Sequence, residues 1–171
     1  MNLEQLQTIM PCAKARALLF LDPLNRTMDE FGINTPARQA AFLAQVGHES
    51  GQLRYVEELA SGRAYEGRED LGNTHPGDGV RYKGRGLIQV TGRANYEKCG
   101  AALGLDLVAF PTQLAEVENA CRSAGWFWSA HGLNGLADYG DQVRVTRRVN
   151  GGTNGLEDRL ALFAVAQRVL G

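Results

Sequence analysis

The chain has 171 residues, with 44% hydrophobic and 22% charged side chains, a formal net charge of −1 and a sequence pI near 6.3. That length suits one domain, 1–171, with a sizeable core, and the composition is that of an ordinary globular protein. The near-neutral balance argues against a nucleic-acid binder, which carries a basic surplus, and no run of residues is long and apolar enough to span a membrane.

Taken in chain order, residues 3–9 and about 13–31 have helical patterns, with Pro23 expected to break or kink the second. The opening stretch lacks a basic start, and its apolar patch Ala17–Leu21 is short and followed by Asp22-Pro23. It is therefore not expected to act as a secretory signal. Thr35-Pro36 is a helix start, with threonine as N-cap and proline at the first helical position. That helix is expected to run to Ser50, with Gly51 as its left-handed stop. Residues 60–91 are rich in glycine and polar side chains and predict a long ordered loop, with a small hairpin over "RYKGRGLIQVT". Helices resume over Arg93–Leu103, Gln113–His131, 141–149 and 156–170, the last two separated by the glycine-rich turn "NGGTNG". The expectation is a mainly α fold whose helical body faces a loop-rich lobe, around 52–92, across a cleft. The three cysteines, Cys12, Cys99 and Cys121, have no metal-ligand spacing and are expected to be buried or incidental thiols, with one disulfide left open.

The stretch "AFLAQVGHESGQLRYVEEL", residues 41–59, carries the chemistry. His48-Glu49 begins like a zinc-protease HExxH motif, but Gln52 stands where the second histidine belongs, so metal catalysis is set aside. On the helical wheel Phe42, Val46 and Glu49 fall within about 60° of one another. A carboxyl on that apolar face is expected to be partly desolvated, which favours the protonated form a general acid needs. Glu58 is nine residues on. In one continuous helix it would lie ~13.5 Å along the axis and about 180° round, so the two could not converge. A chain reversal at Gly51 lets them. Two carboxylates, one protonated and one ionised, are what glycoside hydrolysis requires. Spacing alone is a weak signal, and by itself it favours solvated surface glutamates.

Three ordered motifs, "FLAQVGHESGQL…VEEL", "RYKGRGLIQVTGRANY" and "VNGGTNGLEDR", resemble glycoside hydrolase family 19 over roughly residues 36–160. The likeness is greatest to the short endolysin-type members carried by bacteriophages. It implies a lysozyme-like fold and no cofactor. It implies that Glu49 is the general acid and Glu58 the general base, with Glu57 as the competitor one residue earlier. It implies further that Thr91 holds the attacking water and that His48, Gln89, Asn95 and Asn150 contact the sugar. Arg159, counted with the substrate-binding residues, is implied to orient the base, with Glu157 as its acidic partner. Tyr65, Tyr82 and Tyr96 are candidates to line the groove, whereas Trp126 and Trp128 are expected in the core.

The activity implied is inverting hydrolysis of β-1,4 bonds in peptidoglycan strands, by a monomer held in a host cytoplasm until a holin-type pore former gives it access to the wall. Chitin hydrolysis, a lytic transglycosylase and a glycan-binding module without catalysis are the alternatives.

Overall fold

A computed structural model describes residues 1–171 of the chain. Helix α1 (Leu3–Ile9) opens with a reciprocal cap: the Asn2 side chain accepts from the Gln5 amide and the Gln5 side chain accepts from the Asn2 amide. Helix α2 (Arg16–Glu30) does not break at Pro23, against the expectation from sequence; the proline is buried against the core. Only the N–H that would have bonded the Leu19 carbonyl is lost. Helix α3 (Pro36–Glu49) starts as expected, with the Thr35 hydroxyl accepting from the Arg38 amide at 3.2 Å.

The next helices are α4 (Asp78–Arg81), α5 (Arg93–Leu103), α6 (Val117–Ala130), α7 (Leu133–Asp138), α8 (Gln142–Asn150) and α9 (Leu156–Leu170). The helix expected over Gln113–His131 is split. A 3-10 turn covers Pro111–Ala115, and extended backbone at Glu116 (ψ 141°) separates it from α6. Neither α4 nor α7 was expected from the sequence.

Every residue of α3 from Ala40 to Gly47 is buried. A helix covered on all sides must be the centre of a body. Here α9 packs along it, with α7 and α8 alongside, and Phe42 meets Trp128 of α6 edge-on at 5.4 Å between ring centroids. A smaller apolar cluster, Tyr82, Val90, Tyr96, Cys99, Leu103, Leu107 and Leu114, sits beneath the loop-rich lobe. All three cysteines are free thiols, Cys12 exposed and the other two buried; burial pushes the Cys99 thiol up to about 12. No helix is long and apolar enough to cross a membrane.

The expected hairpin is reduced to isolated bridges, Glu57 with Arg85 and Arg85 with Val90. Gly86 takes a left-handed φ of 100° within two residues of the first pairing and ends the ladder. Polar cross-links hold the lobe instead. The Glu66 carboxylate accepts the Gly77 and Gly79 amides at 2.7 and 2.8 Å. The buried Asn73 side chain donates to the Tyr65 carbonyl and accepts the Arg93 amide. Asp78, with its side chain 2% exposed, receives Arg93 through two bonds of 2.9 and 2.6 Å.

The Arg93 guanidinium holds the Asp78 carboxyl below the usual carboxylate range, against the upward push of burial. A lowered folded pKa contributes stability that is present above the unfolded value, near 3.9. It is lost as pH falls through the folded value. Asp78→Asn should therefore cost about 1–3 kcal/mol at pH 7 and make the acid limb of a stability-against-pH series shallower. Denaturant melts between pH 2 and 7 check this; an unaltered midpoint at pH 7 would show that the pair does not hold the lobe.

Candidate active site

Glu49 is the last residue of α3, and Ser50 shapes the turn after it. The buried Ser50 hydroxyl donates to the Val46 carbonyl at 2.6 Å and accepts the Leu53 amide at 2.8 Å. The Ser50 carbonyl accepts the amides of Arg54 and Tyr55, both at 2.9 Å. Between these bonds Gly51, Gln52 and Leu53 take left-handed φ values of 56°, 56° and 66° in succession. For the two non-glycine residues that costs about 1–2 kcal/mol each. Burial of Leu53 (1% exposed) and the bond from the Gln52 amide to the Gly47 carbonyl at 2.7 Å offset it. The sequence marked Gly51 as the stop. It offered no local signal for the other two, because only Ser50 and the packing impose them.

The Glu49 side chain is 24% exposed, and its Oε1 receives Arg159 Nη2 at 2.6 Å. Arg159 is itself 2% exposed; Nη1 donates to Gln45 Oε1 at 2.5 Å and Nε to the Asn154 carbonyl at 3.1 Å. This corrects the role implied for Arg159. Its guanidinium lies on the expected acid and not on the expected base, because α9 packs along α3. Its burial also removes it from the surfaces a sugar could touch. The exposed Glu157 makes no ion pair with it, and Glu49 with Gln45 takes the place expected for Glu157. Gln45 was missed in the sequence. The available signal was a lone polar side chain in an apolar helix, one turn before Glu49.

His48 forms a second clasp between the same helices, with Nδ1 2.6 Å from Asp158 Oδ2. Gly155, at φ 70°, lies against the ring so closely that a Cβ there would come within 2.2 Å of it. His48, expected on the sugar, is thus engaged by Asp158.

Glu58 is held by the lobe. Its amide donates to the Gly84 carbonyl at 2.9 Å, its Oε2 accepts the Tyr65 hydroxyl at 2.9 Å, and its buried Oε1 has no hydrogen-bond partner. Lys83 Nζ donates to the carbonyls of Glu58 and Ala60 at 3.1 and 3.3 Å, fixing the backbone around it. Glu57 differs: its carboxylate meets Lys83 at 3.0 Å and Arg85 at 3.2 Å. Burial pushes the Glu57 carboxyl up, but Lys83 and Arg85 together outweigh that and hold it below the usual range. Of the two adjacent glutamates, Glu57 is tied to two cations and Glu58 to none.

Gln89 lies beside Glu58. A Cβ on Gly84 would come 2.6 Å from Gln89 Oε1 and 2.9 Å from Glu58 Oε2. Thr91 is half-buried; its carbonyl accepts Asn95 Nδ2 at 2.8 Å, and its hydroxyl has no partner in the chain. Asn150 is exposed at the end of α8, before Gly151 at φ 81°. Tyr82 and Tyr96 do not line a groove, since both are buried (1% and 0% exposed) in the smaller apolar cluster. The Tyr96 hydroxyl donates to the Lys83 carbonyl and accepts from Arg85, and burial pushes its phenol above the ordinary range. Only Tyr65 of the three reaches a carboxylate.

Gly84 has no left-handed φ, so alanine meets no backbone objection there; its methyl group would displace Glu58 and Gln89. Gly84→Ala should fold, with a melting temperature near that of the parent, and lose about 100-fold in kcat, the cost of shifting a reacting group by about 1 Å. Parental turnover would mean that this close approach does not govern the site.

The family model described as "Chitinase class I" matches residues 33–139, which include Glu49, Glu58, Gln89, Thr91 and Asn95. A Haemophilus influenzae protein described as glycosyl hydrolase family 19 domain-containing is 32% identical over 172 residues, covering 82% of this chain and 84% of that protein. An Arabidopsis thaliana endochitinase is 40% identical over 115 residues, 66% of this chain; the chain spans only 39% of that longer protein. The fold superposes on chitinase C from Streptomyces griseus with a TM-score of 0.81 at 23% identity, over 99% of this chain and 92% of that one. A class IV chitinase from Zea mays gives 0.70 at 24% identity, over 86% and 78%. The family model, which matches more than half of the chain, and the Haemophilus influenzae relative agree: the chain belongs to glycoside hydrolase family 19.

Proposed function

We propose that this chain hydrolyses β-1,4 glycosidic bonds of peptidoglycan with inversion, Glu49 acting as general acid and Glu58 as general base. What supports the reading is the family match over the segment that carries both glutamates, with Glu49 at the end of α3 and Glu58 held in the lobe by Tyr65 beside Gln89.

In this mechanism Glu49 gives its proton to the glycosidic oxygen as the C1–O bond breaks. The resting carboxylate is paired with Arg159 through Oε1, and the form that reacts carries a proton on Oε2, the oxygen Arg159 leaves free. Arg159 fixes the rotamer and stabilises the carboxylate charge that develops as the proton leaves, an interaction stronger in the transition state than before it. The Glu58 carboxylate takes a proton from a water that attacks C1 from the opposite face. The Thr91 hydroxyl, without a partner in the chain, holds that water, and the amides of Gln89 and Asn95 bond sugar hydroxyl or N-acetyl groups. Tyr65 donates to Glu58 Oε2 and orients the carboxylate.

Peptidoglycan is favoured by the likeness of the three motifs to short endolysin-type members. Chitin is the second reading, favoured by the chitinases among the relatives, and it uses the same machinery. Mass spectrometry of digests of purified peptidoglycan, beside chitin oligomers, separates them. Reducing sugar ends from peptidoglycan support the proposal, anhydro ends point to a transglycosylase, and cleavage of chitin alone replaces peptidoglycan with chitin.

Glu58→Gln should abolish turnover with little change in stability. Glu49→Gln should abolish it too, but with a lower melting temperature, because Arg159 keeps an acceptor and loses its counter-charge. Breaking a buried pair from one side costs about 3–5 kcal/mol, and the partial exposure of Glu49 places this variant toward the low end. Glu57→Gln should keep most activity; if it alone were inactive, the base would be one residue earlier.

A further inference from the structure

A bay of about 610 Å³ opens beside the end of α3, walled by Lys14, Arg16, His48, Gln52, Arg54 and Tyr55. Its charge is one-sided. Lys14, Arg16 and Arg54 make no ion pair, and the one acid on its wall, Asp158, is already engaged with His48. The Arg54 guanidinium lies over the Tyr55 ring at 5.1 Å. Arg16 donates to the Cys12 carbonyl through Nη2, and its buried Nε has no partner.

The walls are also built with strain. Three non-glycine residues of the chain have left-handed backbone, Lys14 (φ 52°), Gln52 (φ 56°) and Leu53 (φ 66°). Two of them face each other here, joined where Gln52 Oε1 accepts the Cys12 amide at 2.8 Å. Strained backbone held in place by its surroundings concentrates at ligand clamps.

His48 lines the bay, and Glu49 follows it at the end of the same helix. We infer that this bay is an anion subsite for the carboxylates of the peptide stem borne by peptidoglycan. The inference rests on the peptidoglycan reading above. An extended stem spans about 3.3–3.6 Å per residue, so a few residues carry its carboxylates from a sugar at Glu49 into the bay. Chitin has no carboxylate to place there, which makes the bay a determinant of substrate choice.

The test uses two substrates from one preparation: peptidoglycan strands with their stems, and the same strands after an amidase has removed them. The quantity read is the ratio of kcat/KM on the first to that on the second. Lys14→Gln and Arg54→Gln each remove one exposed charge and keep a polar, hydrogen-bonding side chain. Each should lower the ratio about fivefold, the scale of an exposed ion pair, and the parental ratio should fall as salt is raised. Arg168→Gln, an exposed charge at the far end of α9, should leave the ratio as it is. Thermal melts confirm that the variants are folded. A ratio unmoved in both bay variants, with both strands cleaved, overturns the subsite and leaves the peptidoglycan reading standing. Cleavage of chitin oligomers with neither strand cleaved overturns that reading and the subsite with it.

Discussion

The contact on which the rest depends is the Arg159 guanidinium against Glu49. A carboxylate at the C-terminal end of a helix meets the negative end of the helix dipole, and an arginine at 2% exposure is costly without a counter-charge. Each group answers the other's problem. The pairing also explains why α3 can be wholly buried along Ala40–Gly47 and still present an acid at its end. The same guanidinium reaches Gln45 one turn earlier and the Asn154 carbonyl in the turn before α9. One side chain thus ties together α3, α9 and the glycine-rich turn. With His48 and Asp158 beside it, two adjacent residues of α3 grip two adjacent residues of α9.

The second carboxylate is set by different physics. After Glu49 the chain passes through three left-handed residues braced by Ser50, enters the lobe, and Glu58 is held there by backbone and Tyr65. The Tyr65 carbonyl is in turn bonded by Asn73, which accepts the Arg93 amide, and Arg93 is locked to Asp78. A run of polar contacts therefore supports Glu58, where a cation and a packed helix support Glu49. Because the lobe is built of turns and not strands, its precision comes from these bonds and from glycines such as Gly84 that let side chains approach.

Much of this was legible in the sequence where the signal is local. The Thr35-Pro36 start, the end of α3 within one residue of the expected Ser50, the limits of α5 and the break between α8 and α9 follow from caps, glycine and periodicity. The glutamate pair was visible through its motifs. What the sequence did not disclose are pairings over long separations. Arg159 was expected on the base because nothing local says which carboxylate a residue 110 positions away will meet. The hairpin over "RYKGRGLIQVT" was expected from its β-branched and aromatic content, but Tyr82 and Val90 are spent on the smaller apolar cluster and the glycines end the pairing. Tyr96 looked like a groove residue and is core, since an aromatic in a glycine-rich context carries no mark of which way it faces.

The central claim is that these two differently held carboxylates act on opposite faces of one sugar, with a water between Glu58 and the reacting carbon. Proton NMR of the first products formed, recorded before mutarotation, tests it most directly. The account predicts that the new reducing end appears first as the α anomer and drifts toward the equilibrium mixture. A β anomer at the outset would mean that the configuration is retained, that Glu58 or another group attacks the sugar directly, and that the assignment of base and water is wrong.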